Sequence, residues 1–235
     1  MISAIFEPTA ILIFSRTARH EAAVKTFDAA SGKNGNQAIA RKLIRQTVAT
    51  ARRTRLPVFL HSTPAHVAGT FGENLAAALE SVFDKGYVNV IAIGNDCPDI
   101  SVALLLDASR RLAAKKLVLG PATDGGVYLI GIHKTAAYHR RKFVALPWEG
   151  ARLQAGWEKY SKDFHTDVDW LQPFSDIDQA ADFKALLDRL PCWSHFRKQL
   201  LSILASFQSV FTAGHRLFPV INPHGISPLR GPPPY

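Results

Sequence analysis

The side chains of this sequence best suited to chemistry lie in two stretches. One is an apolar run that ends in acid, residues 90–99 (VIAIGNDCPD); the other is an apolar run broken by an acid and two glycines, residues 118–131 (VLGPATDGGVYLIG). A buried strand that delivers Asp96 at its tip sets a carboxylate at the carboxyl edge of a sheet, where open α/β folds bind ligands. Magnesium takes one or two carboxylates and completes its shell with phosphate oxygens and water, so a strand-end aspartate facing a diphosphate suits it. Asp99 is the expected cap of the helix that begins near Ile100, with Ser101 as the alternative, and Asp96 is thereby left for a metal or nucleotide.

Asp124, Gly125 and Gly126 form a second candidate. Two glycines permit positive φ and let a ligand approach the main chain, and the same triplet also suits a tight hairpin before the strand at 127–132. Two Asp-x-Asp pairs, Asp167/Asp169 and Asp176/Asp178, offer further carboxylates. In an extended chain residues i and i+2 face the same way, so either pair can present two acids to one cation. The second pair, just before a helix, is favoured; capping by Asp178 is its competing role. Cys97 reads as a small buried filler, because Asp96 and Asp99 oppose thiolate formation. The histidines lack spacing suited to zinc, and Trp148 reads as a loop anchor, with a stacking wall as the alternative.

The elements that must position these groups alternate. Strands are predicted at 10–14, 56–60, 88–93, 116–119 and 127–132, with a short extended piece at 168–171. Helices are predicted at 36–54, from about 73 to a stop at Gly86, at 100–114, near His139, at 153–159 and at 178–190. Residues 15–36, which contain Lys25, read as a polar connection. Such alternation gives an α/β fold: a single Rossmann-like domain over residues 1–190, with a mostly parallel central sheet and helices on both faces. Beyond Pro191 the pattern changes to an amphipathic helix at 196–211 and a proline-rich tail at 219–235. This C-terminal helical extension is expected to cover an open end of the sheet or to join a second subunit, making a homo-oligomer.

Composition narrows the classes. The 235 residues are 47% apolar and 20% charged, enough for one good core and too little charge for a disordered chain. Cys97 and Cys192 are two isolated thiols, which exclude a disulfide framework and fit a cytoplasmic setting. No signal peptide and no membrane span is expected. The net charge of +9 comes from scattered lysines and arginines, several at helix C-terminal ends where they complement the dipole. A nucleic-acid partner is not expected.

In combination, IGNDCPDI, LGPATDGGVYLIGI, LPWEG and SDIDQAADFKAL resemble the motifs of bacterial glycosyltransferase-A-like (GT-A) proteins of the nucleotide-diphospho-sugar transferase superfamily. GTFGENLAAAL at 69–79 is similar to a segment these proteins carry upstream, so the likeness extends from about Ile11 to Leu190. The resemblance implies a GT-A domain that binds a nucleotide or nucleotide-sugar with Mg2+ or Mn2+ and transfers a glycosyl or nucleotidyl group to an acceptor. It implies Asp96, Asp176 and Asp178 as metal ligands, Asp124, Gly125 and Gly126 as the nucleotide-binding turn, and Asp96 and Lys25 as the catalytic residues, the lysine reaching phosphate. The chain departs from the family in residues 16–24, which lack its glycine and proline, at Phe27, where an arginine is usual, and at Gln179, Ala180 and Ala181. These departures define the alternative, a non-catalytic GT-A-like binding or scaffold module.

Overall fold

The computed structural model describes residues 7–63, 68–148 and 152–214, the side chains of 208–214 excepted. The tail at 219–235 and Glu149 and Gly150 of the LPWEG motif lie outside the described residues. The order is β1 (Thr9–Arg16), α1 (Ala18–Val24), α2 (Gly32–Arg53), β2 (Val58–Thr63), α3 (Phe71–Phe83), β3 (Asn89–Ile93), α4 (Val102–Lys115), β4 (Leu117–Pro121) and β5 (Val127–His133). Then come α5 (Arg140–Val144), α6 (Leu153–Asp163), β6 (Asp169–Trp170), α7 (Ala180–Arg189) and α8 (His195–Gly214).

The six strands form one sheet in the order β2-β1-β3-β5-β4-β6. Only β5 runs against its neighbours. The cause is chain length: residues 122–126 are too few for a crossover helix, so β4 must return as a hairpin. The other connections carry helices, and the sheet is mostly parallel as the sequence predicts.

Alternation along each strand fills both faces. Ala10, Leu12, Val90, Ala92, Leu117 and Leu119 pack under α3, α5 and α6, where Phe143 and Trp157 are fully buried. Ile11, Ile13, Ile91, Ile93, Val118 and Leu129 pack under α4 and the end of α2. Two-sided burial explains why β1 and β3 read as unbroken apolar runs. A third cluster lies off the sheet, where Ile39 and Leu43 of α2 meet Phe27, Ile177, Phe183, Leu186 and, from α8, Leu200. Helix α8 thus packs along the helical layer rather than over an open sheet end, and Arg197 ties it down by donating to the Leu187 carbonyl at 2.9 Å.

Chain order places the ligand crevice. From β1 the chain steps to β2 on one side and then crosses to β3 on the other, so the carboxyl ends of β1 and β3 flank the switch point where such sheets bind ligands.

Candidate functional site

Everything that reaches the switch point does so from a strand end or a segment pinned to one. Beyond β3, Gly94 and Asn95 lead to Asp96, and the next helix is capped without it: the Leu104 amide donates to Ser101 Oγ at 3.1 Å. Asp99, the expected cap, instead takes a charge-assisted bond from Arg189 Nη2 at 2.7 Å. A serine inside the turn reaches the amide three residues on, whereas Asp99 lies too far upstream.

Beyond β4, Asp124, Gly125 and Gly126 make the hairpin turn, and of the three Asp124 lines the cleft. Gly125 sits at φ +96°, Ala122 N donates to Gly126 O at 2.9 Å, and Asp124 Oδ1 accepts from the Gly126 amide at 2.9 Å. Only the first glycine needs left-handed space.

The late acids arrive on a strap. Phe174 N donates to Pro121 O at 3.1 Å, Thr123 N to Phe174 O at 2.9 Å, and Ile177 N to Asp96 O at 2.8 Å. Tyr128 holds the same segment, its hydroxyl donating to Gln172 O at 2.8 Å. With Ile177 buried in the third cluster, the flanking Asp176 and Asp178 both turn to the cleft, as extended-chain spacing predicts. The rival pair is spent elsewhere, Asp169 accepting from Arg111 Nη1 at 3.1 Å.

Lys25 comes from a segment that the sequence reads as a polar connection and the structure folds as α1. Thr17 caps this helix by accepting from the His20 amide at 3.3 Å, and Lys25 N donates to Glu21 O at 2.8 Å, so Glu21 and Lys25 share one face. Buried Asn36 secures the exit: its Oδ1 accepts from Phe27 N at 2.6 Å and Asp28 N at 3.0 Å. The Lys25 ammonium, 8% exposed, donates to Asp96 Oδ2 at 2.9 Å and Ile177 O at 3.1 Å and pairs with Asp178 Oδ1 at 2.8 Å. This cation lines the cleft but is held on three sides, clamping the β3 tip to the strap.

These groups line one cleft of about 740 Å³ with Phe14, Arg16, His20, Glu21, Phe71 and Trp148. Trp148 is both anchor and wall: its indole N–H donates to Phe143 O at 3.0 Å, and its ring tilts against Phe71 at 5.4 Å. Its indole lies so close to Gly72 that any Cβ there would collide with it.

Five carboxylates, Glu21, Asp96, Asp124, Asp176 and Asp178, share the cleft, and their electrostatics show the excess of acid. Burial, then the charges of Asp96, Asp124 and Asp178, push Asp176 up to about 8. Burial also raises Glu21, against the pull of Lys25. Burial alone would depress Lys25, but Asp96, Asp178 and Glu21 outweigh it and hold the ammonium charged. The Cys97 thiol is pushed up by burial and then by Asp176, Asp99 and Asp96, which confirms the filler role. Asp176 Oδ1, Glu21 Oε2 and His20 Nδ1 are buried without a hydrogen-bond partner among the described residues. No set of three His, Cys, Asp or Glu among those residues already stands in metal-holding geometry. Arg16 and Glu21 were not singled out from the sequence; the capping Thr17 followed by Glu21 and Lys25 at i,i+4 was the signal that could have found Glu21.

The chain has likenesses to known proteins in sequence and in fold. The sequence family described as "Uncharacterized protein conserved in bacteria (DUF2064)" matches residues 36–150. A crystal structure from Desulfovibrio desulfuricans G20, provisionally named a nucleotide-diphospho-sugar transferase, superposes with a TM-score of 0.72 at 22% identity, covering 87% of this chain and 97% of the other. The two chains share one fold, which is GT-A-like. A second GT-A-like neighbour, 4-diphosphocytidyl-2C-methyl-D-erythritol synthase from Anaerococcus prevotii DSM 20548, aligns with a TM-score of 0.55 at 14% identity, covering 80% of this chain and 100% of the other. No curated protein sequence matches the chain significantly. Among the described residues of this GT-A-like chain, no helix is long and apolar enough to cross a membrane.

Proposed function

We propose that the chain is a metal-dependent transferase that moves a glycosyl or nucleotidyl group from a nucleotide or nucleotide-sugar held across the β1/β3 crevice. The observation that carries this reading is the meeting of Asp96, Asp124, Asp176 and Asp178, drawn from three separate parts of the chain, around one cleft at the switch point. The name of one fold neighbour, a nucleotide-diphospho-sugar transferase, supports the same class, and the other is named a 4-diphosphocytidyl-2C-methyl-D-erythritol synthase.

The donor set fits a divalent cation. Asp176 Oδ1 is buried and unpartnered, and Lys25 engages only one oxygen each of Asp96 and Asp178. Asp176, Asp96 and Asp178 would therefore hold Mg2+ or Mn2+ through oxygens that Lys25 leaves open. A bound cation would offset the acid excess and neutralise charge on the diphosphate leaving group. Lys25 keeps Asp96 and Asp178 at a fixed separation, the Asp124 turn closes the floor, and Phe71 with Trp148 offers an apolar wall to a ring.

A specific observation favours the second reading, a non-catalytic binding module: helix α1 fills the stretch where a phosphate-cradling loop would lie, and Lys25 is committed to carboxylates. Thermal shift separates the two. A rise in melting temperature with UDP, GDP or CTP that requires magnesium and disappears in Asp96→Ala supports the transferase; stabilisation by no nucleotide overturns it.

A further inference from the structure

A diphosphate entering a cleft walled by five carboxylates needs a cation that is not already spent. Among the described residues lining the cleft, the basic side chains are Arg16, His20 and Lys25. Lys25 is already engaged, by hydrogen bonds to Asp96 and the Ile177 carbonyl and by an ion pair with Asp178. Arg16 differs. It ends β1 at the switch point, where the strand is fixed by register with Thr63 and by the Thr17 N–H donating to Thr63 O at 3.2 Å. Its guanidinium is 43% exposed, and its ion pair is a long one, 3.9 Å from Nη1 to Glu21 Oε1. Glu21 itself is 3% exposed and cannot follow the guanidinium outward.

We propose that Arg16 is the phosphate-binding residue of the cleft, its guanidinium engaging the oxygens of a nucleoside di- or triphosphate while Lys25 remains the internal counter-cation of Asp96 and Asp178. The inference rests on the transferase reading and deepens it by assigning the anion subsite to the β1 end rather than to the lysine. A planar fork matches two phosphate oxygens at once, and its one contact, the long pair to Glu21, leaves those donors available. Burial favours the neutral form of Glu21, which reduces its competition with an incoming phosphate.

The test is calorimetric titration of the full chain, in magnesium, with inorganic pyrophosphate and with CTP, UDP and GDP. Arg16→Gln is expected to weaken pyrophosphate binding about 10- to 100-fold, the loss of one or two charge-assisted hydrogen bonds. Arg16→Lys should recover part of it, and Arg19→Gln, exposed on α1 outside the cleft lining, should change nothing. The Arg16–Glu21 pair contributes little to stability at that separation, so the melting temperature of Arg16→Gln should match the unmodified chain. Undiminished binding by Arg16→Gln, or binding abolished only by Lys25→Met, overturns this inference and leaves the transferase reading in place. Failure of the unmodified chain to bind pyrophosphate or any of the nucleotides overturns both.

Discussion

Lys25 Nζ lies 2.9 Å from Asp96 Oδ2 across 71 positions of sequence, and the bond joins the corner after β1 to the tip of β3. The same ammonium reaches Asp178 on the late strap, so one lysine gathers three distant segments. Removing it leaves carboxylates unpaired beside one another. Lys25→Met is expected to cost about 3 kcal/mol, the lower end for a broken buried pair because Asp178 is half exposed. Urea denaturation checks this, and Lys25→Arg should lose less.

Asp176 sets a pH dependence. Its folded pKa of about 8 stands above the ordinary value of about 3.9, so the folded state holds a proton that the unfolded chain releases. Its contribution to stability is full below about pH 4 and is lost as pH rises through about 8. The metal-free protein should therefore melt at a lower temperature at pH 8 than at pH 6, and Asp176→Asn should flatten that slope. Magnesium should raise the melting temperature more at pH 8, because a cation needs the ionised carboxylate. Glu7 acts at the other extreme: bonds from Lys116 and His133 hold it at about 2, a contribution full above about pH 4.5 and lost as pH falls toward 2.

Gly125 carries the Asp124 turn at φ +96°, where a Cβ is strained whatever space surrounds it. Gly125→Ala is expected to destabilise by about 1–3 kcal/mol. It should also weaken magnesium-dependent nucleotide binding, whereas Gly86→Ala, at φ +92° but remote from the cleft lining, should cost stability alone.

Helix α8 contributes Leu200 to the cluster of Ile39, Leu43, Phe183 and Leu186. Leu200→Ala should cost about 2–5 kcal/mol by chemical denaturation. The division at residue 190 predicts that the 1–190 chain retains the sheet but melts earlier, having lost this cover. Assembly through the exposed Leu201 face predicts a dimer in sedimentation that Leu201→Glu dissolves.

How far the sequence reached can be traced residue by residue. The apolar alternation of β1 and β3 is visible because both faces of those strands are buried, and a two-sided sheet demands continuous apolar residues whatever lies beyond it. The i,i+2 geometry of Asp176 and Asp178 is likewise local, since it follows from extended backbone alone. Asp96 at a strand end and Asp124 in a glycine turn belong to the same class of inference. Other features depend on contacts that no window of sequence contains. Helix α1 is a short, polar segment with little apolar periodicity, and it is fixed by the Thr17 cap and by the burial of Glu21 and Lys25 against residues about 70 and 150 positions away. The partner that Asp99 takes instead of a helix end, Arg189, approaches only when α7 folds across the domain. The amino-acid order thus determined the strands, the sheet class and which acids stand at strand ends and turns, because each is a property of neighbouring residues. Only the tertiary structure decided that Lys25 is consumed by carboxylates and that Arg16 faces the cleft, because the partners that spend or spare a charge come from distant parts of the chain.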